Sequence, residues 1–210
     1  MPKRITYLTK RTDISSEQFR EHWSTSHAAI AVDLPGVAAY RQNHVVHGTA
    51  SRYGVDGIVE LWFFSDEVVT AGIDSDVADR LVEDEPRFLS GLVGGAVRSG
   101  PPTNHWPIKA WALARWVDGE QPAEVVEWAA GIADDIGAAG HGVNVTDVTG
   151  PHLVREALEV NPEPPEVAVT FGFSSCADVE QVRSGVAAAA EKLDVVTGVD
   201  VLIVEERIII

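Results

Sequence analysis

The sequence predicts an α+β fold: two ferredoxin-like (βαββαβ) halves whose antiparallel sheets pack face to face as an intrachain α+β barrel. Three observations predict it. Strand-like and helix-like segments run β-α-β-β-α-β twice along the 210 residues, which is the split-βαβ order. IVELWFFSDEV (58–68) faces VAVTFGFSSCADV (167–179), and RITYLTKR faces IKAWALARW, an internal repeat of about 105–110 residues. The run Pro101-Pro102-Thr103-Asn104 separates the copies by its proline and polar content. The expected units are 1–100 and 108–210, with a linker at 101–107. A unit of this kind covers one sheet face with its helices and leaves the other bare. The simplest cover for a bare apolar face is its twin, with a space between the two sheets for a ligand.

Each element has its own reason. Residues 4–10 (RITYLTK) are β-rich and bounded by charges. Ser15 with Gln18 three residues on has the spacing of a capping box and opens a helix. Phe19, Trp23, His27, Ile30 and Leu34 make one helical stripe, and Pro35-Gly36 ends it. Residues 37–46 and 57–64 are strands, with a turn over 48–54. A broken helix is expected over 66–89 and a fourth strand over 94–98. In the second half, 108–117, 142–148, 167–174 and 199–209 are strands. Pro122 sits at the first position of one helix, and 177–193 form the other. The stretch 151–165 is a long connection with at most one helical turn.

The totals narrow the partners. A formal net charge of −16 repels phosphate backbones and anionic lipid, so neither nucleic acid nor membrane is an expected partner. One cysteine, Cys176, allows no internal disulfide and no cysteine zinc site. At a helix start its thiol is expected to be inert. No apolar stretch reaches the ~18 residues of a membrane span, and no signal peptide is visible; a cytoplasmic protein is the default. His44 and His47 point to opposite faces of a strand, His141 and His152 stand apart, and no metal is expected. The glycines of 91–95 fit a turn entering a strand better than a phosphate loop.

Several side chains could carry chemistry. Alternation separates Val59, Leu61 and Phe63 from Ile58, Glu60 and Trp62. The apolar set should pack under the helices and the second set should look into the barrel. Glu60 beside Trp62 is then either a polar handle in a pocket or part of an ion pair at the rim. Tyr40, Gln42 and His44 share a face of the neighbouring strand. A histidine titrates near neutral pH and suits acid–base work. His27 lies on the apolar stripe and needs a partner there, in the core or in a pocket, whereas His22 falls off the stripe. Ala110, Ala112, Ala114, Ala168, Thr170, Gly172 and Ser174 are small and are read as pocket wall.

Residues 3–99 resemble an EthD domain. Phe19-x-x-x-Trp23-x-x-x-His27 and Leu34-Pro35-Gly36 come first, followed by Tyr40 and Gln42-Asn43-His44. Asp56-Gly57-Ile58-Val59-Glu60-Leu61-Trp62-Phe63 and Asp84-Glu85-x-Arg87-Phe88 complete the match. The second half lacks the F-x-x-x-W-x-x-x-H and L-P-G signatures and is a degenerate copy. The resemblance implies a barrel of paired ferredoxin-like units, typically without a cofactor, in a group that includes lactone isomerases and polyketide cyclases. It also implies His27, Tyr40, His44 and Asp56 as site residues. The function expected is a cofactor-free isomerase, cyclase or dehydratase acting on a small apolar oxygenated compound. In it His27 or His44 moves a proton, Tyr40 binds a carbonyl or enolate oxygen, and Glu60 orients a histidine or acts as base. Tyr7, Trp23, Gln42, Asp56 and Trp62 complete the substrate-binding set. The rival is a non-catalytic binding protein; a haem-using barrel would need a singled-out ligating histidine, which the sequence does not supply. A homodimer is compatible with either.

Overall fold

In a computed structural model of the chain, residues 1–46, 51–98, 104–147, 153–175 and 178–210 are described, with the backbone alone at positions 70, 71 and 73. His47, Pro101, Pro102 and Thr103 of the linker, His152 and Cys176 lie outside the described residues. The first half runs β1 (Lys3–Lys10), α1 (Ser16–His22), a π-helical turn (Trp23–His27), α2 (Ala28–Ala31), β2 (Val37–Val45), β3 (Gly57–Phe63), α3 (Asp66–Ile73), α4 (Asp76–Asp84), a 3-10 turn (Glu85–Arg87) and β4 (Leu89–Arg98). The second runs β5 (Ile108–Trp116), α5 (Pro122–Asp135), β6 (Gly140–Thr146), β7 (Val167–Phe173), α6 (Val179–Ala190) and β8 (Val196–Ile208).

The strands form one closed antiparallel barrel in the order β1-β3-β2-β8-β5-β7-β6-β4. Each half is contiguous in it, as β4-β1-β3-β2 and β8-β5-β7-β6, the same order twice. The two seams differ. β2 meets β8 from Arg41↔Ile208 to Val45↔Val204, whereas β4 meets β6 only at Val97↔Thr146 and Arg98↔Val145. The rest of the β4 edge would be open, a hazard for any strand. Residues 153–159, from the connection between β6 and β7, cover it. Leu153 N–H donates to Gly94 C=O (2.6 Å), Glu159 N–H to Ser90 C=O (2.9 Å), and Leu92 N–H to Glu159 C=O (3.1 Å).

Alternation fixes which side chains turn inward. Ile5, Tyr7, Ile58, Trp111, Leu113, Ala168, Leu202 and Val204 pack together inside. Lys3, Arg41, Asn43, Glu60, Trp62, Lys109, Asn144 and Glu206 are buried toward one end. Barrels of about eight strands have interiors just wide enough for side chains to fill. The chamber expected between the sheets is therefore largely occupied by a packed core and a charge cluster. Ala110, Ala112 and Ala114, expected to wall a pocket, face the opposite way and pack with Val125, Ala129, Ala133 and Val186 of α5 and α6. Small strand residues there let the helices approach the sheet.

Two features differ from expectation for local reasons. β4 begins at Leu89 rather than 94, so the glycines of 91–95 lie within a strand. Gly94 is needed for closeness, since a Cβ there would stand 2.4 Å from the Ile5 carbonyl oxygen. The first long helix carries a wide π turn at Trp23–His27; such turns are frequent at functional sites.

Candidate functional site

The helix-covered outer face of the first half holds a cavity of about 160 Å³. Its floor is β1, β3 and β4; its walls come from α2, α3 and α4; Leu153 and Arg155 of the covering segment close one side. Leu34, Val59, Leu61, Phe63, Leu81 and Leu92 make most of the lining apolar. Arg4, His27, Tyr40, Asp79, Glu85 and Arg155 supply the polar groups.

His27 ends the π turn. Its Nδ1 lies 3.0 Å from Asp84 Oδ2, and His22 Nε2 lies 3.0 and 3.1 Å from the same carboxylate. Asp84 is the last residue of α4 because Pro86 forbids another helical turn. The 3-10 turn that follows brings Phe88 against both imidazoles, at 4.8 and 5.0 Å between ring centres. Burial alone would raise the Asp84 carboxyl; hydrogen bonds from His27 and His22 outweigh it and hold the group below its ordinary value. An ionised Asp84 fixes the proton of His27 on Nδ1, so Nε2 carries the lone pair. Nε2 has no partner among the described residues.

Tyr40 is held as a hydrogen-bond donor. Its hydroxyl oxygen accepts from Trp23 Nε1 (3.1 Å) and Gln42 Nε2 (2.9 Å), which leaves its own proton free to donate. Burial pushes its pKa up to about 12, so it remains a phenol. Gln42 also donates to Trp23 C=O (2.8 Å) and accepts from His44 Nε2 (3.0 Å). Trp23 can sit there because position 57 is glycine: a Cβ would come within 2.5 Å of the indole.

The predicted residues therefore divide into separate places. His27 and Tyr40 line the cavity, with Trp23 and Gln42 directly behind Tyr40. His44 lies beyond Gln42, against Trp23 at 4.4 Å between ring centres, and does not line the cavity. Burial first, then Arg207 and Arg20, lower its pKa to about 3 and keep it neutral; its Nδ1 is buried without a partner. Glu60 and Trp62 face the barrel interior. Glu60 is bound to Lys3 Nζ (2.6 Å) and Lys109 Nζ (2.8 Å). Burial opposes its ionisation, but the two ammonium groups hold it far below the usual carboxylate range. Of the two readings of Glu60, the ion pair is observed, inside the barrel rather than at its rim. Asp56 accepts from Lys10 N–H (2.9 Å) and burial raises its pKa. Tyr7 lies at the other end of the barrel interior.

Three site groups escaped the sequence reading of roles. Asp84 was visible only as part of a motif; nothing local showed that it would reach a helix 57 residues earlier. Arg4 sits on β1 between inward-facing Lys3 and Ile5, so alternation turns it toward the cavity; it has no ion-pair or hydrogen-bond partner among the described residues. Arg155, from the second half, grips Glu85 through Nε (2.5 Å) and Nη2 (3.1 Å).

A carboxylate-held imidazole is also a pattern used for metal ligands. The cavity, however, has room for one six-membered ring, close to the engineered cavity of about 150 Å³ that binds benzene. A porphyrin does not fit it. Among the described residues no cluster of three or more His, Cys, Asp or Glu could hold a metal ion, and no helix is long and apolar enough to cross a membrane.

Comparison with known proteins agrees with this architecture. The whole-chain fold is similar to an anthrone oxidase-like protein (TM-score 0.65, 11% identity, covering 99% of this chain and 93% of that one). It is also similar to a candidate monooxygenase from Fusobacterium nucleatum subsp. nucleatum ATCC 25586 (0.57, 9%, 99% and 93%). A mutant chlorite dismutase from Candidatus Nitrospira defluvii follows (0.52, 7%, 97% and 91%). At such identities the likeness is one of fold. No curated protein matches the chain significantly. The EthD domain model matches residues 11–91, which contain His27, Tyr40 and Asp84. Residues 11–91 are thus similar to an EthD domain.

Proposed function

We propose that the protein is an enzyme that moves a proton on a small, oxygenated, largely apolar ring compound in the cavity beneath the first-half helices. The observation that carries the reading is that His27, held by Asp84, and Tyr40 line the same largely apolar cavity. His27 Nε2 takes or returns the proton. Asp84 holds the imidazole in the required tautomer and offsets the charge it gains. Tyr40 donates to the carbonyl or enolate oxygen, and Arg4 supports the negative charge that develops there. Isomerisation, aldol-type cyclisation and dehydration next to a ketone or lactone carbonyl can all proceed through this step. The cavity volume favours one ring in the closed state. His44 and Glu60 have no part in proton transfer in this reading. Each half is read as a ferredoxin-like unit, supported by the repeated strand order.

Deuterium wash-in at the α-carbon of small ring ketones and unsaturated lactones, followed by proton NMR in heavy water, tests the reading. The native protein should accelerate exchange, and His27→Ala should lower the rate by about 10²- to 10⁴-fold with the fold intact by circular dichroism. Equal rates with native protein and His27→Ala would overturn it in favour of a binding protein.

A further inference from the structure

The barrel keeps a second space at the end away from the Lys3–Glu60 cluster. A cavity of about 250 Å³ lies among β1, β4, the Tyr53–Val55 stretch and the end of the segment that covers the β4 edge. We propose that this cavity is a binding site for a second small molecule, uncharged and largely apolar with one hydrogen-bond acceptor, such as a ring ketone or lactone, recognised by the Tyr7 hydroxyl.

The polar groups around the cavity single out Tyr7. Thr9 Oγ1 donates to Gly54 C=O (2.7 Å) and Tyr53 Oη to Gly198 C=O (2.7 Å). Asn161 donates through Nδ2 to Tyr53 C=O (3.2 Å) and accepts at Oδ1 from Glu163 N–H (2.9 Å). Tyr7 is 5% exposed, yet its hydroxyl has no partner among the described residues. Burial raises its pKa, so it stays an O–H donor. The hydroxyl is not among the fully enclosed unpartnered atoms and Tyr7 lines the cavity, so its proton is available to a ligand oxygen that enters there.

The same lining sets the charge of the ligand. Among the described residues no lysine, arginine or histidine borders the cavity, so an anion would be buried without a counter-charge. Glu159, the one carboxylate residue among the described lining residues, is exposed and offers a buried cation no partner. Val55, Val93, Pro162 and Pro165 supply apolar wall, and the two prolines stiffen the covering segment before any ligand arrives. The site stands apart from the His27 cavity and does not depend on the reading given to it.

Proton–nitrogen NMR titration of the full chain with cyclohexanone tests the proposal. Saturable shifts are expected at the amides of Tyr53, Gly91, Val93 and Asn161. In Tyr7→Phe the dissociation constant read at those amides should rise roughly three- to tenfold. In native protein labelled at tyrosine Cζ, the Tyr7 signal should move with the same constant, a readout that needs no variant. Amides of Ala31 and Leu34 report the other cavity, so failure at one site is distinguishable from failure at the other. No saturable change at the four amides up to the solubility of cyclohexanone would mean a water-filled space and overturn the proposal. So would an unchanged constant in Tyr7→Phe or an unmoved Tyr7 carbon signal.

Discussion

His44 and Tyr40 sit four residues apart on one strand face, yet the structure gives them different work. Tyr40 presents a proton to the cavity, and its own acceptor capacity is filled by Trp23 and Gln42. Tyr40→Phe removes that proton and should lower turnover by about 10²- to 10³-fold. It also strands two buried donors, so stability should fall by roughly 1–3 kcal/mol in urea denaturation. Asp84→Asn should release the wrong tautomer of His27 and lower turnover by up to about 10⁴-fold. His44 instead marks a sensitivity to acid. Its folded pKa is about 3 against an ordinary 6.5, so below about pH 6.5 the unfolded chain binds a proton that the folded chain refuses. The associated stability is fully present above pH 6.5 and is lost as pH falls, by about 1.4 kcal/mol per unit at most. In His44→Leu the fall in stability from about pH 6 to pH 5 should be shallower by up to one proton, read from urea midpoints at each pH.

At the scale of elements, the segment over the β4 edge matters more than its irregular sequence suggests. It completes the barrel edge, walls both cavities and carries Arg155 onto Glu85, which is 5% exposed. Arg155→Ala should leave a buried carboxylate unpaired and cost roughly 3–5 kcal/mol. Adding Glu85→Leu should recover most of that loss, because a well-packed apolar pair can replace a buried ion pair; urea denaturation of the single and double variants checks both. Strands, caps and alternation were legible in the sequence because they depend on neighbours a few residues away: Ser15 and Gln18 form the expected capping box, and Glu60 and Trp62 face inward. The site was only partly legible. His27 and Tyr40 could be found by residue type and motif. Asp84, Arg4 and Arg155 could not be given roles, since those depend on how three separated elements meet. The π turn was invisible because it keeps the apolar stripe intact while widening one turn.

For the whole molecule, closure of the barrel joins the halves through charge as well as hydrogen bonds. Lys3 and Glu60 of the first half meet Asn144 and Lys109 of the second, and Lys109 Nζ also reaches Glu206 (2.5 Å), which holds Arg41 (3.1 Å). Such a chain crosses between the halves repeatedly, so they should unfold together in one calorimetric transition. Lys109→Met should leave Glu60 to Lys3, and Glu206 to Arg41 and His105, the two carboxylates one buried cation short, and lower stability by about 3–5 kcal/mol. Because this network and the apolar core fill the middle of the barrel, the account places the chemistry outside it, under the first-half helices. The most direct test is a crystal structure of the protein soaked with phenol, a single-ring probe. Ring density is expected between β3 and α4, with the phenol oxygen within hydrogen-bond reach of His27 Nε2 and Tyr40 Oη. Density beside Glu60 and Trp62 inside the barrel, with the helix-covered cavity empty, would contradict it.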